Sequence, residues 1–247
     1  MSVETSSELE GLFASGRVVR AALDVMAGAV RPGITTAELN ALGAAVIDRA
    51  GARSAPMIVY GFPAETCISV DDEIVHGVPG ERTLREGELV KLDVTVEKDG
   101  YMTDAAVTVA VGRATERTRA LAACARRAFA QAMGVARVGS RVHDIGRAVS
   151  REVRRSGFSV VRGLDGHGIG RTIHEEPRVP NVYDPMARRR LTRGLVLAVE
   201  PMITSGSGRI VEATDGWTVL TADGAPAAHF EQTIVVMDGA PIVLTAA

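Results

Sequence analysis

The stretch LVKLDVTVEKDGYMTDAAVTVAVG, residues 89–112, decides the fold, because it has the alternating pattern of a β-hairpin. Apolar and polar residues alternate on both sides of residues 97–100, which are turn formers ending in Asp-Gly. Since strand side chains point alternately to opposite faces, one face of the hairpin is predicted to pack against the core. That face carries Leu92, Val94, Val96, Val107, Val109 and Val111.

Two carboxylates, Asp93 and Asp104, lie on the other face of this hairpin. A turn formed by residues 97–100 would make them direct cross-strand neighbours, whereas a two-residue Asp99-Gly100 loop would make them diagonal neighbours on the same face. Like charges so close repel each other and raise one pKa unless a cation compensates them. From the hairpin alone, the alternative is a solvent-facing side that carries two acids by chance.

Three further ionisable residues interrupt apolar or glycine-rich stretches. His167 lies in GHGIG, where the glycines allow a ligand to approach the backbone closely. Glu200 ends LVLAVE and Glu231 lies in HFEQTIVV, and a charge inside an apolar run needs a partner. Together with Asp93 and Asp104, they form a typical ligand set for two divalent ions such as Mn, Fe, Co or Zn, which lower the pKa of bound water.

Two histidines stand beside turn-forming glycine or proline, His76 in DEIVHGVPG and His174 in IHEEP. An imidazole at such a place can donate a hydrogen bond to a scissile amide or to a developing oxyanion. The alternative for each is an ordinary surface histidine. His143 and His229 are expected to be surface histidines.

Amphipathic helices flank the hairpin in the sequence. Ser7 with Glu10, and Thr35 with Glu38, are capping-box patterns that mark helix N-termini. Apolar periodicity and the glycines that end it predict four helices, over about 7–29, 35–51, 115–134 and 142–156.

A faint internal repeat relates the two parts of the chain. Residues 30–51 align without gaps with residues 136–157, so that Gly33 meets Gly139 at a shift of 106 residues. Residues 86–94 and 192–200 align at about the same shift. We therefore predict a single domain over 1–247, built from two α+β halves of about 7–112 and 113–240, with a site between them.

Composition narrows the classes of protein to which the chain can belong. The 247 residues are 46% hydrophobic and 23% charged, which is typical of a compact globular domain. With 28 basic and 30 acidic residues the net charge is -2, which disfavours nucleic acid and membrane surfaces as partners. Only two cysteines occur, Cys67 and Cys124, and no secretory signal pattern opens the sequence, so we expect a soluble cytoplasmic protein with a buried thiol at Cys124.

The motifs taken together resemble the type I methionine aminopeptidase family. The resemblance covers about residues 10–243 and rests on CISVDDEIVHGVPG, KLDVTVEKDGYMTDAAVTVAVG, GHGIGRTIHEEPRVPN, VLAVEPMI, DGWTV and FEQTIVV, in the order and spacing of that family. It implies an α/β fold of the pita-bread type, in which two pseudo-twofold α+β halves with antiparallel sheet enclose a metal site.

The resemblance also implies a role for each site residue. Two divalent metal ions (Co, Mn, Fe or Zn) would be held by Asp93, Asp104, His167, Glu200 and Glu231. Glu200 would carry the proton of the attacking water. Substrate contacts and catalysis would involve His76 at the scissile amide nitrogen and His174 at the carbonyl oxygen.

A side-chain pocket is implied at the positions of Val59, Phe62, Cys67, Ile173 and Trp217. Aromatic residues are common in the family where Val59 and Ile173 stand here, and Phe62 replaces a usual tyrosine. The pocket is therefore expected to be more aliphatic than is usual, which puts in question its preference for methionine but not the hydrolytic chemistry.

The expected function is removal of the N-terminal methionine from nascent polypeptides with a small second residue, by a monomeric hydrolase. One alternative is a specialised paralogue that trims another aliphatic residue, and another is a catalytically silent pita-bread binding module. The basic segment 187–193, ARRRLTR, is either a solvated loop or a site of transient contact with the ribosome.

Overall fold

An antiparallel sheet organises the molecule, which we describe from a computed structural model over residues 1–246. The helices are α1 (Ser6–Ala29), α2 (Thr36–Arg49), α3 (Ala55–Tyr60), α4 (Glu116–Met133) and α5 (Val142–Arg155). The strands are β1 (Arg53–Ser54), β2 (Cys67–Val70), β3 (Glu73–Val75), β4 (Leu89–Lys98), β5 (Tyr101–Ala110), β6 (Ser159–Val160), β7 (Gly166–Gly168), β8 (Glu175–Val179), β9 (Val196–Val199), β10 (Met202–Thr204), β11 (Ile210–Glu212), β12 (Val219–Thr221), β13 (Ala227–His229), β14 (Glu231–Val235) and β15 (Ile242–Val243).

The main sheet joins strands from distant parts of the sequence. Its order is β1-β4-β5-β14-β9-β7-β8, with β2 paired to β4 and β15 paired to β14. Two three-stranded sheets, β13-β10-β6 and β11-β12-β3, lie beside it. All pairings between the named strands are antiparallel, as predicted for an α/β fold with antiparallel sheet.

The predicted hairpin is formed by β4 and β5, and its turn settles the register. Lys98 pairs with Tyr101, so the loop is the two-residue Asp99-Gly100. Both loop residues have positive φ, 51° and 83°, which is typical of the type I′ turn that matches the twist of the strands. Asp93 therefore lies opposite Ala106 and is a diagonal neighbour of Asp104, the second of the two registers considered.

The apolar face of the hairpin packs as expected against the first pair of helices. Helices α1 and α2 contact each other, and α1 lies across β4 and β5. Leu23, Met26 and Leu39 from these helices share one core cluster with Leu92 and Val94 from the hairpin. This core keeps the apolar side of the hairpin away from water and leaves its other face free for the two carboxylates.

The second pair of helices, α4 and α5, packs on the other end of the sheet. Their mutual contact and a cluster that includes Leu121, Phe129, Ile145 and Leu197 form a separate core. Cys124 is fully buried in this cluster, as predicted.

The helix boundaries agree with the sequence at three of the four predicted N-termini. At α1 the predicted capping box is wrong, because the cap is formed two residues earlier by Thr5 and Glu8. The Glu8 N–H donates to Thr5 Oγ1 and the Thr5 N–H donates to the Glu8 carboxylate. Ser7 therefore lies inside the first turn.

Within residues 1–246, none of the helices combines the length and the apolar character that crossing a bilayer would require.

Candidate active site

Five neighbouring strands each deliver one of the predicted metal ligands to the same place. In sheet order, β4 carries Asp93, β5 Asp104, β14 Glu231, β9 leads directly into Glu200, and β7 carries His167. The long gaps between these residues in the sequence are closed by strand pairing, for example of His167 with Ala198 and of Glu231 with Ala106. All five side chains line one cleft of about 530 Å³.

This cluster is buried, and no lysine or arginine of residues 1–246 forms a salt bridge with any of its carboxylates. Glu231 is 2% exposed and Asp104 is 7% exposed, and within residues 1–246 neither Asp104 Oδ1 nor Glu231 Oε1 has a hydrogen-bond partner. Buried polar atoms are normally paired, so orphaned carboxylate oxygens indicate a missing partner of positive charge. The residues present therefore fit divalent cations, which prefer carboxylate and imidazole ligands.

The protonation equilibria of the four carboxyl groups point the same way. Burial, followed by the repulsion of Asp104, raises the pKa of Asp93 well above its usual range. Burial raises the pKa of Asp104 to about 7. Burial and the neighbouring carboxylates also raise the pKa values of Glu200 and Glu231. Without a cation, these groups hold protons at a pH where exposed acids are ionised.

The ring of His167 is oriented as a metal ligand would be. Its Nδ1 lies 2.8 Å from the carbonyl oxygen of Gly168, which can only accept a hydrogen bond, so the proton is on Nδ1. Burial and the nearby His174 lower the pKa of His167 to about 4, and the ring is neutral at pH 7. Its Nε2 therefore presents a lone pair to the cleft, 3.4 Å from Glu200 Oε1.

The glycines on both sides of His167 are required by close packing of the strands. A Cβ atom on Gly166 would lie 2.4 Å from the carbonyl oxygen of Ala198, and one on Gly168 would lie 2.4 Å from that of Glu176. Strand β7 is thus held between β8 and β9 at a distance that side chains would not permit. The two glycines of the GHG sequence thus allow the close strand packing that positions the His167 imidazole.

The two predicted catalytic histidines lie at the mouth of the same cleft. His76 and His174 both line it, and both side chains are exposed. Desolvation by the cleft walls lowers the pKa of His76, and the nearby His174 lowers it further. Desolvation also lowers the pKa of His174. The backbone of His76 has a φ of 59°, a left-handed conformation that costs a non-glycine residue about 1 kcal/mol or more. The fold thus holds His76 in a strained position beside the carboxylates.

A smaller pocket of about 100 Å³ opens from the carboxylate cluster. Of the predicted pocket residues, it is lined by Phe62, Cys67, Ile173 and Trp217. The Phe62 and Trp217 rings meet edge to face, with centroids 5.2 Å apart. The pocket shares His76, Asp93, Asp104 and His174 with the larger cleft.

Val59 differs from the other predicted pocket residues. Its side chain is 40% exposed and does not line the pocket, whereas the next residue, Tyr60, does. Tyr60 is the last residue of the short helix α3 and lies at the rim of the pocket, where it is 48% exposed and its hydroxyl forms a hydrogen bond with His174 Nδ1. An aromatic ring, Tyr60, therefore lines this wall, and the expectation of an aliphatic wall formed by Val59 is wrong.

His229 was missed by the sequence analysis. It was predicted to be a surface histidine, which is wrong, since it is 1% exposed and lines the cleft. Burial lowers its pKa to about 3, so its ring is neutral. A signal was present in the sequence, because His229 lies two residues before Glu231, a spacing that places alternate side chains of an extended chain on one face.

Comparisons with known proteins agree with this geometry. Residues 10–238 match metallopeptidase family M24. The chain is 43% identical over 247 residues to methionine aminopeptidase 2 of Bacillus subtilis (strain 168), covering 99% of both proteins. It is 39% identical over 243 residues to a methionine aminopeptidase of Clostridium perfringens (strain 13 / Type A), covering 98% of both. The crystal structure of methionine aminopeptidase from Thermotoga maritima superimposes with a TM-score of 0.96 at 34% identity and covers 100% of both chains.

Proposed function

The chain belongs to metallopeptidase family M24, and on that basis we propose that it removes the N-terminal methionine from polypeptides whose second residue is small. It is a metal-dependent hydrolase with the pita-bread fold of the methionine aminopeptidases. The observation that carries the proposal is the opening of the small pocket directly into the buried carboxylate cluster. A side chain held in that pocket would place the first peptide bond beside the cluster.

Two divalent ions would be held by Asp93, Asp104, His167, Glu200 and Glu231. The orphaned oxygens of Asp104 and Glu231 and the outward lone pair of His167 support this assignment. Such ions, when bound, polarise a peptide carbonyl and activate water at neutral pH. We propose Co, Mn, Fe or Zn, because carboxylate and imidazole ligands suit these ions.

The proton transfers are assigned to Glu200 and two histidines. Glu200 is buried in the cleft beside the other carboxylates, so it can take up a proton from attacking water and return it to the departing amine. His174 would donate a hydrogen bond to the carbonyl oxygen as negative charge develops there, and His76 would contact the scissile amide nitrogen. Their lowered pKa values support neutral imidazoles, each of which still carries one donor N–H.

The substrate preference would be set by the pocket and by the cleft beside it. Phe62, Cys67, Ile173 and Trp217 offer an apolar surface to a methionine side chain. The second residue would lie in the cleft, among the histidines and carboxylates. Ile173 favours a second candidate function, the trimming of another aliphatic N-terminal residue.

Cellular context is also part of the proposal. Both cysteines are unpaired and buried, which supports a reducing cytoplasm. We propose a monomer whose halves, 7–112 and 113–240, lie on either side of the site. The exposed arginines of segment 187–193 would allow a transient ribosome contact during synthesis of the substrate.

A peptide panel tests the proposed function. Purified protein is incubated with Met-Ala-Ser and with matched peptides that begin with Leu, Val or Pro, in the presence and absence of Mn or Co. We expect metal-dependent release of methionine and little release of the other residues. Equal or faster turnover of a non-methionine peptide would support the aliphatic-trimming function instead. A protein that takes up no metal, and whose His76→Gln variant behaves like the wild type, would be a silent binding module.

A further inference from the structure

His229 is a buried imidazole that the proposed chemistry does not use. It is 1% exposed, and neither ring nitrogen has a hydrogen-bond partner within residues 1–246. Buried imidazoles are normally satisfied by a carbonyl, a carboxylate or water. Two unsatisfied nitrogens on one buried ring therefore call for an explanation.

The backbone of His229 is held by contacts on both of its sides. The His229 N–H donates to Thr108 Oγ1 at 2.9 Å, and the Thr108 hydroxyl donates to the His229 carbonyl oxygen at 2.7 Å. On its other side, His229 pairs with Met202 of β10. Because strands hold both sides of the residue, the backbone directs its Cα–Cβ bond, and the ring lies among the residues that line the cleft.

The ring points at the same carboxylates that are proposed to hold metal. His229 Nε2 lies 3.5 Å from Glu231 Oε2 and 3.8 Å from Glu200 Oε2. His167 Nε2, a proposed ligand, lies 3.4 Å from the other oxygen of Glu200. The two imidazoles thus contact different oxygens of one carboxylate.

These separations are those of ligands that share an ion rather than of hydrogen-bonded pairs. A hydrogen bond from an N–H to an oxygen measures about 2.7–3.2 Å. Two ligand atoms, each about 2.1 Å from one ion in tetrahedral arrangement, are about 3.4 Å apart. The three atoms contributed by Glu200, His229 and Glu231 lie within 4.8 Å of one another, close enough to surround a single ion.

We propose that His229 is an additional protein ligand of the metal centre, bound on the side formed by Glu200 and Glu231. The inference rests on the proposed metal-dependent function. A second imidazole in the ligand set favours Co, Fe or Zn over the harder ion Mn. In this chain, metal selectivity would therefore depend on a residue outside the five positions carried over from the family.

Proton NMR of the cobalt-loaded protein counts the coordinated histidines directly. Protein labelled with ¹⁵N-histidine is loaded with two equivalents of Co(II), and the strongly shifted, exchangeable ring N–H signals are recorded. We expect two such signals, one from His167 and one from His229. A wild-type spectrum with a single shifted histidine signal would overturn the inference, whatever the behaviour of any variant.

A variant pair assigns the second signal. His229→Gln should lose one shifted signal and bind one of the two Co(II) ions at least tenfold more weakly by calorimetry. His143→Gln, which changes a histidine outside the cleft, should keep both signals and both affinities. Two signals that survive in His229→Gln would refute the assignment. Failure of the wild type to bind Co(II) would refute the proposed metal centre and the inference with it. Failure to release methionine, with both shifted signals present, would refute only the proposed function.

Discussion

Raising the pH should destabilise the metal-free protein, because its buried carboxyl groups must ionise without a counter-charge. The pKa of Asp104 is about 7 in the folded protein, against 3.8 for a free aspartate. A difference of about three pKa units corresponds to about 4 kcal/mol. The pKa values of Asp93, Glu200 and Glu231 shift in the same direction.

The sign of this effect follows from which state binds more protons. Between pH 4 and pH 7 the folded protein holds a proton on Asp104 that the unfolded chain has released. The free energy of unfolding therefore falls as pH rises through this window and levels off above about pH 8. Below about pH 4 both states are protonated and the group contributes no penalty.

Replacement of Asp104 by asparagine isolates this contribution from the other titrating groups. At pH 4.5 the metal-free Asp104→Asn variant and the metal-free wild type should melt at similar temperatures. At pH 7.5 the variant should be more stable by up to about 4 kcal/mol, which is roughly 8–16 °C in Tm for a chain of this length. Addition of Mn²⁺ should reverse the order, since the wild type gains binding energy that the variant cannot.

Scanning calorimetry of chelator-treated protein at four pH values between 4.5 and 7.5 measures this difference. A Tm difference between variant and wild type that does not change with pH would show that ionisation of Asp104 does not destabilise the metal-free protein. So would a variant that is less stable than the wild type at pH 7.5 in the absence of metal.

Three substitutions test the walls of the site. Tyr60→Phe removes a hydrogen bond to His174 that is worth about 0.5–1.5 kcal/mol, so kcat should fall about two- to tenfold while KM and Tm stay unchanged. An unaltered kcat would show that this contact plays no part in the reaction. Phe62→Ala should raise KM for methionine peptides about tenfold or more, since burial of a phenyl side chain contributes about 1.5–3 kcal/mol. A constant KM would contradict the assignment of Phe62 to the methionine pocket. Gly166→Ala should weaken metal binding measured by calorimetry, because the new Cβ meets the Ala198 carbonyl; an unchanged affinity would show that β7 can shift freely.

The sequence was sufficient to predict the hairpin and the convergence of the acids on it. Alternation of side chains in residues 89–112 places Asp93 and Asp104 on one face for any plausible turn. It could not choose between the two registers, because that choice depends on positive φ at both Asp99 and Gly100. Local composition allows such a conformation but does not require it.

Contacts between distant segments account for the residues that were misplaced. Tyr60 is adjacent to Val59, and only the orientation of α3 against the site decides which of them faces the pocket. His229 follows alanines near the turn at Asp223-Gly224, a context typical of the surface. Its burial depends on strand pairing with Met202 and on the hydrogen bonds between its backbone and Thr108, neither of which the local sequence reveals.

The strands of this fold bring together the ligands of metal ions, and we propose that release of methionine depends on these ions. Release of methionine from Met-Ala-Ser by a single preparation tests it, first after complete removal of metal and then after stepwise return of Co(II) up to two equivalents. We expect no release from the metal-free protein and recovery of turnover as the equivalents are added. Undiminished release without metal, or no release after full reloading of a folded protein, would contradict it.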